Sequence, residues 1–393
     1  MRQIAMMTLT IIAVSRKPGR SVTTAFAPDV TTVFGGDPEA RYTDVRLRRA
    51  ERSTETVVPL PPFPNGWMGV AFAADLEVGG VLPVRVAGRD LVVFRGEDGG
   101  VGALDAYCPH LGAHLGVGGT VVDNTIECPF HAWRWAADGS CAAIPYAKRI
   151  PPKAVIRSYE VRDRNGFIFV WIHAQDASPT WEIEVIPEVD DAEYRITSRW
   201  VTPMTGHIQD VIENGVDLPH FRTVHKWEAR SIDWQQHGHS YTMEYENDTT
   251  RGGEVEVLFQ SQTEGPSFSR TRFWGAFKGV SMHCIVPIDD GILELRQLYV
   301  YHRDLPDEAA ALAAKGSSHE WAVDVPIWEN KRHLVRPVLV GDDGPVPTFR
   351  RWFAQFYSDD VVVEGADEYD RDLVAGDDDT VVIGAAAKQR DAR

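Results

Sequence analysis

Residues 108–131 read CPHLGAHLGVGGTVVDNTIECPFH, and this stretch decides how the first half of the chain folds. Cys108 and His110 form one pair, and after seventeen further residues Cys128 and His131 form a second pair. Proline follows each cysteine, so we expect each pair at the tip of a β-turn between short antiparallel strands. Two thiols and two imidazoles at such spacing predict a metal site.

The residue types narrow the choice of metal. Structural zinc is more often held by Cys-x-x-Cys pairs or by a pair of histidines on a helix. Cys-x-His followed by Cys-x-x-His fits a [2Fe-2S] cluster in which two thiolates hold one iron and two imidazoles the other. A zinc site, or four core residues without a metal, are the alternatives.

A second constellation reads Glu213-Asn214-Gly-Val-Asp217-Leu-Pro-His220-Phe-Arg-Thr-Val-His225. Two imidazoles and one carboxylate on one face of Fe(II) leave positions open for dioxygen. On an ideal helix His220 and His225 would lie about 140° apart, so both can face one iron only if the helix ends or widens there. A purely structural role of the two histidines is the alternative.

A third ligand would have to come from elsewhere in the chain, and Asp324 is the favoured candidate. It precedes Pro326 and an apolar run, so a helix N-cap is its alternative role. Glu329, Asp359 and Asp360 are further candidates, although Asp360 lies in an acidic stretch where a solvated charge is the simpler expectation.

Taken together, the motifs resemble those of the Rieske non-heme iron oxygenases. YCPHLGAHL and CPFHAWRW are similar to Rieske proteins, and residues 213–225 resemble the E-x3-D-x2-H-x4-H motif of the oxygenases. Ala113 and Phe130 stand where the respiratory-complex type has two further cysteines, which favours an oxygenase-type cluster of lower potential. IPYAKRIPP and PVLVGDDGPVPTFRRWFAQFY are similar to the oxygenase components of 3-ketosteroid 9α-hydroxylases and to cholesterol 7-desaturases.

The resemblance implies a terminal oxygenase component with one [2Fe-2S] cluster on Cys108, His110, Cys128 and His131, and one mononuclear Fe(II). It would use O2, and electrons from a separate NAD(P)H-dependent flavin/iron-sulfur reductase, to hydroxylate a steroid-like, apolar polycyclic substrate. Sterol 7-desaturation and oxidation of an aromatic substrate are the alternatives. VFGGDPEA and VAGRDL lack the G-x-G-x-x-G arrangement, so NADH is not expected to bind this chain.

The resemblance also assigns roles to the residues around the mononuclear iron. It implies a homotrimer in which Asp217 joins His220 of one subunit to the cluster-bound His131 of its neighbour. An ordinary helix-turn aspartate is the alternative for this position. Asn214 is a second catalytic candidate, and Asp324 lies in a segment that matches the ligand-bearing helix of the steroid-acting branch.

Other functional classes fit the sequence less well. An electron carrier would need only the first motif, and a binding protein derived from an oxygenase would not need candidate ligands at all three iron positions.

Lys+Arg 40 against Asp+Glu 57 gives a net charge of -17, which opposes binding to nucleic acid or anionic membranes. Four cysteines favour the reducing cytoplasm, and we expect neither a membrane span nor a secretory signal at IAMMTLTIIAV.

We predict an α+β protein in which an antiparallel β-domain carries the cluster. A catalytic domain of the helix-grip type would follow, with an antiparallel sheet and flanking helices. DEAAALAAK and HEWAVDVPIWENKRHL predict two of these helices, and Asn165-Gly166 predicts a type I′ hairpin. The predicted boundaries are an extension at 1–58, loosely ordered, a Rieske domain at 59–173, a catalytic domain at 174–358 and an acidic tail at 359–393.

Overall fold

The computed structural model describes residues 60–227, 229–247, 257–275 and 277–358 of the chain. The predicted extension 1–58 and the predicted acidic tail 359–393 therefore lie outside the described residues, and so do the candidate ligands Asp359 and Asp360. No helix in the described ranges has the length and the apolar character needed to cross a membrane.

The chain divides into two compact units. The first holds residues 65–185 and 286–290, and the second holds residues 60–64 and 291–358 with the described residues of 186–285. The first compact unit extends to Val185, because the segment after residue 173 packs on it. The indole N–H of Trp67 donates to the backbone oxygen of Trp181 at 2.9 Å, and Glu182 forms a 2.7 Å ion pair with Arg162.

Residues 65–185 form three antiparallel sheets, with strand orders β1-β10-β9, β2-β3-β4 and β5-β6-β7-β8. The strands are β1 Gly66–Phe72, β2 Val81–Val86, β3 Arg89–Arg95, β4 Val101–Asp105, β5 Thr120–Val122, β6 Thr125–Glu127, β7 Arg134–Ala136, β8 Cys141–Ala143, β9 Val161–Arg164 and β10 Phe167–Ile172. Asn165 and Gly166 both have positive φ, 55° and 79°, between β9 and β10, which confirms the predicted hairpin.

The second unit is built on a seven-stranded antiparallel sheet of order β11-β17-β16-β15-β14-β13-β12. Its strands are β11 Tyr194–Thr205, β12 Ala229–His237, β13 Ser240–Asn247, β14 Val257–Glu264, β15 Phe268–Gly275, β16 Gly279–Asp289 and β17 Ile292–His302. The helices are α1 Ile208–Glu213, α2 Leu218–Thr223, α3 Asp307–Trp328 and α4 Val346–Phe353. The α+β prediction, with a β-domain before a sheet and its helices, is thus confirmed.

Helix α3 corrects two predictions. The two segments predicted as separate helices form one helix of 22 residues, which ends at Trp328 and leaves the remaining residues ENKRHL outside it. The helix continues through Gly316 and contacts the sheet just after it, where Ser318 donates a 2.9 Å hydrogen bond to Gln297 of β17. Asp324 lies inside this helix, near its C-terminal end, so the N-cap alternative for Asp324 is wrong.

Two buried carboxylates, Glu213 and Asp210, fix α1 in place. Arg350 of α4 donates to Glu213 at 2.6 and 2.8 Å. Asp210 lies 2.9 Å from the ring of His333 and 3.4 Å from the ammonium of Lys331. Burial alone would raise the pKa of Asp210, but His333 and Lys331 outweigh it and hold that pKa well below its usual range. The carboxylate is therefore ionised in the folded protein.

We expect Asp210→Asn to lower the free energy of unfolding by about 3 kcal/mol at pH 7, because it removes the buried carboxylate that accepts from the buried ring of His333 and pairs with Lys331. The pKa of Asp210 is lower in the folded than in the unfolded chain, so its contribution is complete above about pH 4 and is lost as the pH falls further. Urea unfolding of both proteins between pH 7 and pH 3 measures this, with exposed Asp304→Asn as the control. A difference that does not shrink in acid would contradict the assignment.

Candidate functional site

The two Cys-His pairs lie in loops that are closed in the same way. In each loop, the backbone N–H of the cysteine donates to the backbone oxygen of the residue five positions later in the chain. The backbone N–H of the residue four positions later donates to the backbone oxygen of the cysteine. The distances are 2.8 Å from Cys108 to Ala113, 2.9 Å from Gly112 to Cys108, 2.8 Å from Cys128 to Trp133 and 3.0 Å from Ala132 to Cys128. Each loop is one residue longer than the predicted β-turn, and it needs positive φ at Gly112 and Ala132, 76° and 54°.

The four predicted cluster ligands meet in like pairs across these loops, thiol with thiol and imidazole with imidazole. The ring centroids of His110 and His131 lie 4.6 Å apart, and both cysteines are buried and free of disulfides. Burial raises the pKa of the Cys108 thiol; the backbone N–H of His110 opposes this effect and Cys128 adds to it. His131 Nδ1 is buried without a hydrogen-bond partner. A pair of buried thiols and a pair of imidazoles, one with a buried nitrogen that has no partner, fit the donor set of a [2Fe-2S] cluster.

In the second unit, the structure brings Asp324 to the two histidines of the second motif. His220 Nε2 and His225 Nε2 lie 2.8 Å apart, and Asp324 places one carboxylate oxygen 3.3 Å from each of them. The three ligand atoms all lie within 4.8 Å of one another. Glu329, the other described candidate, instead accepts the backbone N–H of Thr205 at 3.2 Å.

The local backbone explains how both imidazoles reach one point. Helix α2 ends at Thr223, before His225. This confirms the expectation that a continuous helix, which would hold the two histidines about 140° apart, does not run through both of them. Lys226 then has a positive φ of 62°, so the chain turns sharply directly after His225. Asp217 is the N-cap of α2, and its Oδ1 accepts the N–H of His220 at 3.0 Å. Asp217 therefore caps the helix that carries His220.

The electrostatics of this site favour a cation. Burial alone would lower the pKa of His225, but its hydrogen bonds with Asp324 and Glu320 outweigh burial and raise that pKa to about 9. Burial alone would raise the pKa of Asp324, and the two imidazoles lower it instead. Asp324 Oδ1 is buried without a hydrogen-bond partner. An ionised carboxylate whose two oxygens each lie 3.3 Å from one imidazole nitrogen fits the donor set of Fe(II).

Sequence reasoning missed Glu320, which orients one of the histidines. The Nδ1–H of His225 donates to Glu320 Oε2 at 2.7 Å, which fixes the tautomer that leaves Nε2 free for a metal. Glu320 lies one helical turn before Asp324, so an i, i+4 search from Asp324 would have found it. The other catalytic candidate, Asn214, places its amide nitrogen 3.5 Å from His220 Nε2.

Two known families match this chain, one in each half. The model of the Rieske [2Fe-2S] domain matches residues 66–160. The model of the 3-ketosteroid 9alpha-hydroxylase C-terminal domain matches residues 170–357. The first match contains the Cys-His loops, and the second contains the site of His220, His225 and Asp324.

Individual relatives match over most of the chain. Cholesterol 7-desaturase of Bombyx mori is 33% identical over 341 residues, which cover 80% of this chain and 74% of that protein. The probable 3-ketosteroid-9-alpha-monooxygenase, oxygenase component, of Rhodococcus rhodochrous is 34% identical over 335 residues, which cover 78% of this chain and 83% of that protein.

Solved structures show the same fold at lower identity. NdmA of Pseudomonas putida CBB5 with caffeine has a TM-score of 0.63 at 19% identity and covers 78% of this chain and 91% of its own. Dicamba monooxygenase bound to dicamba has a TM-score of 0.62 at 18% identity and covers 75% of this chain and 97% of its own.

The donor sets and the matches agree on the class of enzyme. The protein is an oxidoreductase whose cofactors are a [2Fe-2S] cluster and a mononuclear iron. As the oxygenase component of a multicomponent system, it receives its electrons from a reductase. The chain therefore belongs to the Rieske non-heme iron oxygenases, together with the oxygenase components of 3-ketosteroid 9α-monooxygenases and the cholesterol 7-desaturases.

Proposed function

We infer that this oxygenase hydroxylates a steroid-like, apolar polycycle. The main support is the site of His220, His225 and Asp324, whose ligand atoms lie within 4.8 Å of one another. All three residues lie in the region that matches the 3-ketosteroid 9alpha-hydroxylase C-terminal domain. Desaturation of a sterol is the second candidate, because the cholesterol 7-desaturase of Bombyx mori is 33% identical to this chain, against 34% for the Rhodococcus oxygenase. The small number of cysteines, four in 393 residues, favours the cytoplasm as its location.

The residues of the chain have distinct tasks in this proposal. His220, His225 and Asp324 hold the mononuclear iron, while Cys108, His110, Cys128 and His131 hold the cluster. When bound, these groups supply the electrons and the activation of O2. Glu320 keeps His225 in the metal-binding tautomer. Phe221 and Trp227 stack at 5.3 Å beside His225, and such apolar rings keep bulk water away from the ligands.

Product analysis tests the substrate class. The purified protein, an NADH-dependent flavin/iron-sulfur reductase and O2 are incubated with a 3-ketosteroid, cholesterol or benzoate, and the products are identified by mass spectrometry. We expect oxidation of the steroids in preference to benzoate. Gain of one oxygen indicates hydroxylation, and loss of two hydrogens indicates desaturation. Robust turnover of benzoate without any steroid product would reject the proposal.

We further propose a homotrimer in which Asp217 accepts a hydrogen bond from His131 of the partner subunit. Large apolar side chains are exposed beside the cluster ligands, including Leu111 at 64% and Phe130 at 60%. An exposed apolar surface next to a redox centre suits contact with a second copy of the chain. Asp217 is half-buried at the start of α2, and burial raises its pKa. A carboxylate there can accept N–H groups from two imidazoles.

Two substitutions separate the bridging role of Asp217 from its capping role. Serine caps a helix about as well as aspartate, whereas alanine costs about 1 kcal/mol. We expect Asp217→Ser and Asp217→Ala to keep the cluster and most of the iron, but to slow reoxidation of the reduced cluster in stopped-flow measurements. If Asp217→Ser is as fast as the wild type, Asp217 is only a cap. A fully active monomer by analytical ultracentrifugation would exclude the trimer.

A further inference from the structure

One face of the large sheet carries a compact group of polar side chains. On β14, β15 and β16, Thr263 lies opposite Ser269 and Ser269 opposite His283, while Ser261 lies opposite Thr271 and Thr271 opposite Ser281. Residues directly opposite each other in an antiparallel ladder point to the same face, and so do residues two apart on one strand. These six residues, called here the polar grid, are Ser261, Thr263, Ser269, Thr271, Ser281 and His283.

Two contacts fix the orientation of the polar grid. The hydroxyls of Ser261 and Thr271 lie 2.9 Å apart, so both project from the same face of the sheet. The ring of His283 packs on that of Trp321 at 4.5 Å between centroids. Trp321 belongs to α3 and lies between Glu320 and Asp324 in sequence. The polar grid therefore faces the helix that carries the candidate iron ligand.

The second iron motif contacts the same face at two points. On one side of the polar grid, Trp227 packs on Phe259 of β14 at 5.3 Å, two residues before Ser261. On the other side, a β-carbon at Gly215 would lie 3.4 Å from the hydroxyl oxygen of Tyr241, and Tyr241 lies opposite Thr263 in the ladder. The segment that bears His220 and His225 thus contacts the sheet beside the polar grid at both of its ends, at Gly215 and at Trp227.

Small side chains line this face of the sheet beside His283. On β15, Phe268 and Arg270 point to the opposite face and are buried, whereas Ser269 and Thr271 of the polar grid are only half-buried. Thr263, Ser281 and His283 of the polar grid are buried, so Ser269 and Thr271 are its more accessible members. A sheet face under an iron site for apolar substrates would ordinarily be lined with apolar side chains, so five hydroxyls and an imidazole need a reason.

His283 has the most unusual environment of the six. It is only 3% exposed, and neither of its ring nitrogens has a hydrogen-bond partner. Burial lowers the pKa of His283 to about 3, so the ring is neutral and offers one N–H donor and one acceptor nitrogen. A buried polar group without a partner costs about 1 to 3 kcal/mol, and a ligand that supplies the partner removes this cost.

We propose that His283 and the polar grid bind the oxygen function of the substrate, a ring ketone or hydroxyl of an otherwise apolar polycycle. The ring N–H of His283 donates to that oxygen, and the neighbouring hydroxyls complete its hydrogen bonding. This anchors one end of the rigid ring system on the sheet and presents a carbon elsewhere on it to the iron. The inference rests on the proposed steroid substrate and identifies the group by which the site recognises it.

Equilibrium binding tests this without turnover. Iron-loaded protein under argon is titrated with cholest-4-en-3-one or with cholest-4-ene, which has the same ring skeleton without the oxygen, and quenching of tryptophan fluorescence gives each Kd. The variants are His283→Phe, which keeps an aromatic ring without nitrogens, and Ser269→Ala, a smaller change directly opposite it. Cys284→Ala is the control, because Cys284 is equally buried on the same strand but points to the other face.

We expect His283→Phe to weaken binding of the ketone about tenfold and to leave binding of the hydrocarbon within about twofold. Ser269→Ala should show a smaller loss of the same selectivity, and Cys284→Ala none. Equal weakening of both ligands by either variant, unchanged binding of the ketone, or a wild type that does not prefer the ketone would overturn the proposal. Ketone-selective binding without steroid turnover would reject the proposed reaction and leave the polar grid as a steroid-binding site.

Discussion

Asp324→Ala is expected to lose the mononuclear iron and more than about 99% of turnover, while the Rieske-type electron paramagnetic resonance signal stays at wild-type strength. Even the outer partners of metal ligands are worth about 10- to 100-fold in affinity or activity, so loss of a ligand should exceed that range. The cluster should be unaffected, because its ligands lie in the other compact unit. Iron content by mass spectrometry and product formation are the measurements.

Glu329→Ala is the matched control for this experiment. Glu329 is a rival candidate for the third ligand, but it caps the C-terminal end of α3 and contacts Thr205 rather than the histidines. It should keep iron and turnover. Glu320→Gln should give an intermediate effect, of about 10- to 100-fold, because it weakens the hold on His225 without removing a ligand. Normal iron and turnover in Asp324→Ala would show that another group completes the site.

Cys108→Ser is expected to abolish the [2Fe-2S] cluster, and with it the brown colour and the electron paramagnetic resonance signal of the reduced protein. A hydroxyl is a poor replacement for a soft thiolate ligand. Turnover should fall to background, because electrons from the reductase no longer reach the second unit. Optical spectra, and iron and sulfide content, measure the loss.

Cys141→Ser is the control for this variant. Cys141 is also buried in the core of the first unit, but its thiol donates to the backbone oxygen of Ala143 at 3.6 Å rather than facing Cys128. It should retain the cluster. Loss of the signal in both variants would point to general misfolding, and wild-type protein that holds zinc and cannot be reconstituted with iron and sulfide would exclude the cluster altogether.

Local sequence signals predicted the parts of the fold that depend on backbone conformation. Asn165 and Gly166 tolerate positive φ, and they form the hairpin between β9 and β10. The five-residue spacing of His220 and His225 required the helix to end between them, and α2 ends at Thr223. The end of α3 was not predicted, because helix-forming residues continue beyond Trp328 and only packing decides where the helix stops.

The sequence by itself determined the chemistry of both sites: which residue types are present, at what spacing, and hence which metals they suit. Only the tertiary structure decided which distant groups join them. Asp324 and Glu320 reach His225 because α3 packs over the sheet. His283 faces Trp321 because the strand register sets which side chains of β16 point to that face. On β16 nearly every residue on both faces is buried, so no alternation of polar and apolar residues marks His283 in the sequence. Such positions follow from packing between segments far apart in the chain, which short-range patterns do not encode.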